Sequence, residues 1–209
     1  METDAATHFK LIFDELKRLG FLLESDPKLP SVSSLITGAA LKTSWWSHPL
    51  AQTIFNVREQ LEDHADVLVT KLVSGKVTFV HRKLWPEIFA IGAAREPWQL
   101  KGLSDSARSL LKMIDENGSL TTDKLSWPQS RKEKPGDFAR ELEKRLLVHS
   151  DQFHTEHGTH AKLLETWEHW AKRTGFQSST IPAQKAKTNW EERMLKLNQQ
   201  FGASAKLPW

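Results

Sequence analysis

Residues 104–118 read SDSARSLLKMIDENG, and residues 135–160 read PGDFARELEKRLLVHSDQFHTEHGTH. In the first stretch Ser104 is a natural helix N-cap, because its hydroxyl can accept an otherwise unpaired backbone N–H of the first turn. Ala107, Leu110, Leu111 and Ile114 follow at helical spacing, and Asn117-Gly118 closes the helix. Thr121 is expected to cap a short helix through Leu125. A polar loop with two prolines occupies 127–136. A helix over 137–147 puts Phe138, Leu142 and Leu146 on one face. Residues 147–160 then read either as two short strands around a turn or as an irregular loop. Helix, short helix, helix and extended segment is the layout of a winged helix–turn–helix, in which the third helix faces the DNA groove and the hairpin is the wing.

Outward from this unit, the periodicity predicts a helix over 8–24, carried by Phe9, Ile12, Phe13, Leu16 and Leu19. A second helix is predicted over 49–63, with Pro49 in its first turn and Leu50, Ile54, Val57 and Leu61 as its stripe. Residues 66–81 read as a β-hairpin: Val67, Leu68 and Val69 lead into Ser74-Gly75, and Val77, Phe79 and Val80 lead out. A short helix follows near 82–93. C-terminal to the winged-helix stretch, helices are predicted over 160–173, with Leu163, Leu164, Trp167 and Trp170 inward, and over 183–201. A tail lies draped or loose at 202–209. The expected class is therefore mainly α with small β-hairpins (α+β), divided as 1–100, a helical unit with a hairpin; 101–175, a winged-helix-like unit; and 176–209, a C-terminal helix and tail.

The 209 residues are 39% hydrophobic and 26% charged, enough for a packed core without staples. The absence of cysteine excludes disulfide scaffolds, zinc ribbons, iron–sulfur clusters and thiol nucleophiles, and it suits a reducing cytoplasm, the expected compartment. No apolar run approaches a membrane span, and Met1–Lys10 lacks the order of a secretion signal, so no membrane partner is expected. Neither phosphate-cradling glycine loop nor nucleophile elbow occurs.

The net charge of +3 is small, but its distribution is uneven. Residues 67–108 carry 7 basic and 3 acidic side chains, and residues 172–209 carry 7 and 2. Lys71, Lys76, Arg82 and Lys83 lie in a stretch without an acid. They read either as a phosphate-facing strip or as lysines that guard a hairpin edge. Arg131, Lys132 and Lys134 precede the third helix and can reach phosphates. That helix mixes Arg140, Lys144 and Arg145 with Asp137, Glu141 and Glu143, and Glu141 and Arg145 are spaced to pair.

Four histidines, His149, His154, His157 and His160, fall within twelve positions. Their spacing is not that of a helical metal motif, so neither metal nor cofactor is expected, although convergence on a metal is an open alternative. His154 and Glu156 could act as an acid–base pair. Nine tryptophans are present and no tyrosine. Trp45-Trp46, followed by His48, suggests one ring in the core and one lining a cleft or stacking on a base.

The segments Lys42–Pro49 (KTSWWSHP), Thr70–Trp85 (TKLVSGKVTFVHRKLW), Glu141–Ser150 (ELEKRLLVHS) and His154–His160 (HTEHGTH) resemble small bacterial proteins related to the AlkZ-type winged-helix DNA glycosylases. The likeness spans most of residues 40–173. It implies tandem winged-helix units and DNA contact. Those glycosylases rely on a Gln-x-Gln or Gln-x-Asp motif that does not occur here, where Gln199 and Gln200 are adjacent, so the resemblance carries over no catalytic residue.

The reading is a non-catalytic winged-helix protein that binds double-stranded DNA or a DNA-associated partner, through Lys71, Lys76, Arg82, Lys83, Arg131, Lys132 and Lys134. Two alternatives stand beside it. One is a small hydrolase-type enzyme, metal-dependent or not, with a cleft of Trp45, Trp46, His48, His154, Glu156 and His157. The other is an interaction module whose basic C-terminal helix docks a protein partner.

Overall fold

A computed structural model describes residues 2–41, 43–125, 135–154, 160–177 and 181–209. The chain forms two compact units, Met1–Trp85 with Thr188–Leu207, and Pro86–Lys187 with Pro208–Trp209. Among the described residues it is α+β, with nine α-helices and two three-stranded antiparallel sheets.

The first unit opens with α1 (Glu2–Leu19), which turns Ile12, Phe13 and Leu16 inward. The predicted helix over 8–24 ends early. Gly20 takes φ 92°, and a Cβ there would lie 2.7 Å from the Leu84 side chain. The chain leaves as β1 (Phe21–Leu23), whose three side chains are all buried. Next comes α2 (Val32–Thr37), absent from the sequence reading, where Ser31 and Ser34 cap each other reciprocally. After a 3₁₀ turn at Trp45–Ser47 comes α3 (Ala51–Glu62). The predicted hairpin is present as β2 (Val67–Thr70) and β3 (Thr78–His81), joined through a 3₁₀ turn in which Ser74 adopts φ 54°. The sheet order is β1-β3-β2, with Phe21 opposite Val80 and Val67 opposite His81. One apolar cluster joins Ile12, Leu16, Leu22, Val32, Trp45, Ile54, Val57, Leu61 and Phe79.

The second unit begins one residue into α4 (Trp85–Ala93), and α4 and α5 (Pro97–Leu100) lead to α6 (Asp105–Asn117), capped as predicted by Ser104, whose hydroxyl accepts from Ala107 N. The short helix expected from Thr121 does not form. Thr121 ends β4 (Ser119–Thr121) and pairs with Leu163. Then come α7 (Pro135–Lys144), β5 (His149–His154) and β6 (His160–Glu165). The predicted helix over 160–173 is instead β6 followed by α8 (Trp167–Thr174), because Thr166 caps a new helix by accepting from His169 N. The second sheet has the order β4-β6-β5. Its core joins Leu103, Ala107, Leu110, Leu111, Ile114, Phe138, Leu142, Leu147 and Leu164. Gly92 in α4 lies against the indole of Trp167, where any Cβ would be 2.1 Å from Nε1.

The last helix, α9 (Ala183–Phe201), contributes to both units. Lys187 pairs with Glu96 at 2.7 Å in the second unit. Trp190, fully buried, lies 5.1 Å from Phe21 in the first. The tail is draped rather than loose: Ser74 N donates to Lys206 O and Lys206 N to Ser74 Oγ.

Candidate nucleic-acid interface

Helix α7 sorts its charged side chains by direction. Phe138, Ala139 and Leu142 face the core. Glu141 turns toward α6, its carboxylate accepting from Ser104 N at 3.0 Å and Ser104 Oγ at 2.7 Å. Glu143 is buried, accepts from Ser150 Oγ and pairs with Lys162. Arg145, just past the helix, donates to the carbonyls of Trp98, Gln99 and Lys101, the C-terminal end of α5. The predicted Glu141–Arg145 pair therefore does not form, because each side chain caps a different helix end. What remains outward is Asp137, Arg140 and Lys144, at positions i, i+3 and i+7 of one exposed stripe. Arg140 and Asp137 are 3.6 Å apart and both more than half exposed, a contact worth little. The three-against-three balance counted along the sequence thus becomes two cations and one anion at the surface.

The basic residues of the first unit are differently employed. Lys76 pairs with Asp26 at 2.7 Å, and Arg82 with Asp66 at 2.8 Å. Burial against α1 pushes the Lys83 ammonium below its ordinary pKa, helped by the nearby Arg193 charge. The Lys83 ammonium donates to the carbonyls of Lys17 and Arg18 at the end of α1. Lys71 follows β2 and is half-buried. Arg131, Lys132 and Lys134 lie outside the described residues.

Among the cleft candidates, Trp45 and Trp46 stack at 3.9 Å between centroids and 23° between planes. Trp45 is buried, whereas Trp46 is 62% exposed. His48 Nδ1 accepts from Leu50 N at 3.1 Å. These three belong to the first unit. His154 ends β5 in the second, and Glu156 and His157 lie outside the described residues.

Of the predicted histidine cluster, His149 has the clearest role, with partners the sequence reading missed. It is buried opposite Glu165, which is fully buried on β6. Glu165 Oε1 accepts from His149 Nδ1 at 3.0 Å, and Oε2 accepts from His169 Nδ1 at 2.8 Å. Arg173 donates to Glu165 at 2.5 Å and to Asp151 at 2.7 Å. Desolvation alone would raise the Glu165 pKa, but His149, Arg173 and His169 donate to its carboxylate and hold it down at about 2. The carboxylate is thus ionised and both histidines present a protonated Nδ1. Ligand atoms of His149, Asp151 and Glu165 lie within 4.8 Å of one another, the spacing of a metal site. However, the Arg173 guanidinium bridges the two carboxylates, so the cation of this cluster is the protein's own and a metal ion does not fit beside it. The rings of Trp167 and Trp170 flank His149 at 5.9 and 5.7 Å. The signal for Glu165 was Thr166 as an N-cap ahead of WEHW, which starts the helix at Trp167 and leaves Glu165 outside it.

A family model described as AlkZ related matches residues 7–206. The chain belongs to the AlkZ-related family. No curated protein and no solved structure gives a match. Membership of this family suggests a DNA-associated protein. Among the described residues of this AlkZ-related chain, no helix is long and apolar enough to cross a membrane.

Proposed function

We propose that the second unit is a winged-helix module that binds duplex DNA without acting on it chemically. The observation that carries this reading is the order of elements: α6, then β4, then α7 immediately ahead of the β5–β6 hairpin, with sheet order β4-β6-β5. In a winged helix the strand after the first helix pairs with the returning strand of the wing, and the helix ahead of the wing enters the major groove. Here that helix is α7, and its outward stripe bears Arg140 and Lys144. Family membership and the basic residues Arg131, Lys132 and Lys134, which precede α7 in the sequence, support the DNA-binding reading. Lys71, Lys76, Arg82 and Lys83 are secondary contacts in this reading, since three of them already serve the fold.

Gel-shift titration of the full chain at 50 and 200 mM salt tests it. Phosphate binding predicts a steep loss of affinity across that range. The Arg140→Ala/Lys144→Ala variant should bind several-fold more weakly, with a log–log salt slope shallower by up to about two. Absence of binding at 50 mM, or a double variant indistinguishable from the parent, defeats the proposal.

A further inference from the structure

We infer that the outward stripe of α7 reads base identity as well as phosphates, with Arg140 taking a guanine and Asp137 the cytosine of a neighbouring base pair. The inference rests on the winged-helix reading and names the duplex sequence that the module prefers. On a surface that met phosphates alone, a carboxylate would repel each of them and lower affinity. Yet Asp137 is more than half exposed and stands 3.6 Å from Arg140, while Glu141 and Glu143 of the same helix are turned into the fold. Its place in the first turn suits the helix dipole, which accounts for an acid there but not for its facing the same way as Arg140 and Lys144.

Base edges in the major groove offer what each side chain needs. Guanine presents two acceptors, N7 and O6, that match a guanidinium fork, and cytosine presents the N4 amine, a donor that a carboxylate accepts. Side chains three residues apart on a helix have Cβ atoms about 5 Å apart, and successive base pairs are about 3.4 Å apart, so the two side chains span neighbouring pairs. Lys144, one turn further on, offers a point charge that suits a phosphate. Gly136 is an independent sign. It lies on the same exposed face four residues before Arg140, and helical side chains lean toward the N-terminus, so position 136 underlies the path of the Arg140 side chain. A Cβ there would meet no other part of the described fold within 4 Å, and its φ is not left-handed, so neither packing nor backbone calls for glycine. A bare backbone at this point leaves the long Arg140 side chain free to reach a base edge.

The test selects duplexes from a random pool by gel shift with the full chain at 50 mM salt, and repeats the selection with Arg140→Gln and Asp137→Ala. The parent is expected to enrich two adjacent G·C pairs and to bind the selected duplex about ten-fold more tightly than an A·T-only duplex of equal length. Arg140→Gln should exchange the guanine for an adenine, since a carboxamide pairs with adenine N6 and N7. Asp137→Ala should lose preference at the cytosine position while binding the A·T-only duplex at least as tightly as the parent, because a charge that phosphates repel has gone. Both positions are exposed, so both variants should melt with the parent in circular dichroism. No enrichment by the parent, a preference unaltered by both substitutions, or an Asp137→Ala variant weakened equally on every duplex overturns this inference, while salt-dependent binding of an arbitrary duplex still upholds the winged-helix reading. Failure to bind any duplex overturns both.

Discussion

The two sheets are alike in size and in path, each placing its last strand in chain order, β3 or β6, at the centre, but they handle charge in opposite ways. In the first, the central strand β3 buries Phe79 and Val80, and the cations sit around the perimeter, tied to Asp26, Asp66 and the end of α1. In the second, the central strand β6 ends in a fully buried ionised carboxylate that three donors surround. The first sheet therefore depends on exclusion of water from hydrocarbon, and the second on one charge-assisted network joining β5, β6 and α8. The contrast also teaches where a basic residue is available. Cations beside the first sheet are engaged by the fold, whereas the outward cations of α7 have had their acidic helix neighbours drawn inward.

This contrast can be broken by experiment, beginning with the largest effect. Phe79→Ala should cost about 4 kcal/mol in urea unfolding, and by the same amount at pH 6 and pH 2, because no titrating group is removed. Glu165→Gln should cost about 3 kcal/mol near neutrality. Its pH signature is the sharper test. The native Glu165 pKa lies at about 2, below its ordinary value of 4.5, so its stabilisation is complete above the unfolded value and is lost as pH falls through the native one. The parent should lose about 3 kcal/mol from this group between pH 6 and pH 2, and Glu165→Gln should show a correspondingly flatter profile. A variant as acid-sensitive as the parent would show that the network does not distinguish the second sheet. The smallest effect belongs to Lys76→Met, which should cost less than about 1 kcal/mol and weaken duplex binding far less than Arg140→Ala/Lys144→Ala, because the side chain is 41% exposed and already paired. A loss of DNA binding there would erase the distinction between the two sets of cations.

Much of this architecture was legible in the residues. The stripe Ala107, Leu110, Leu111 and Ile114 with its Ser104 cap gave α6, and the β-branched run around Ser74-Gly75 gave β2 and β3. What escaped depends on distant partners. Phe21–Leu23 continues an apolar helical pattern, and only pairing with Thr78–Val80 makes it a strand. Leu163 and Leu164 fit a helical face equally well until β4 and β5 flank them. The network at Glu165 was hidden for the same reason: a residue read as helical cannot stand opposite His149 across a ladder. On α7 the inventory of charges was legible but their directions were not, since Glu141 and Glu143 turn inward to find Ser104 and Ser150.

The path of α9 has a practical consequence. Because the first unit takes Trp190 and Met194 from near the far end of the polypeptide, no single cut yields that half intact. Removing the final twenty or so residues to probe a docking role would also strip a filled indole from beside Phe21, so a lost partner and a collapsed fold would look the same. Swapping individual exposed side chains on that helix, Lys196 or Leu195 for instance, separates the two.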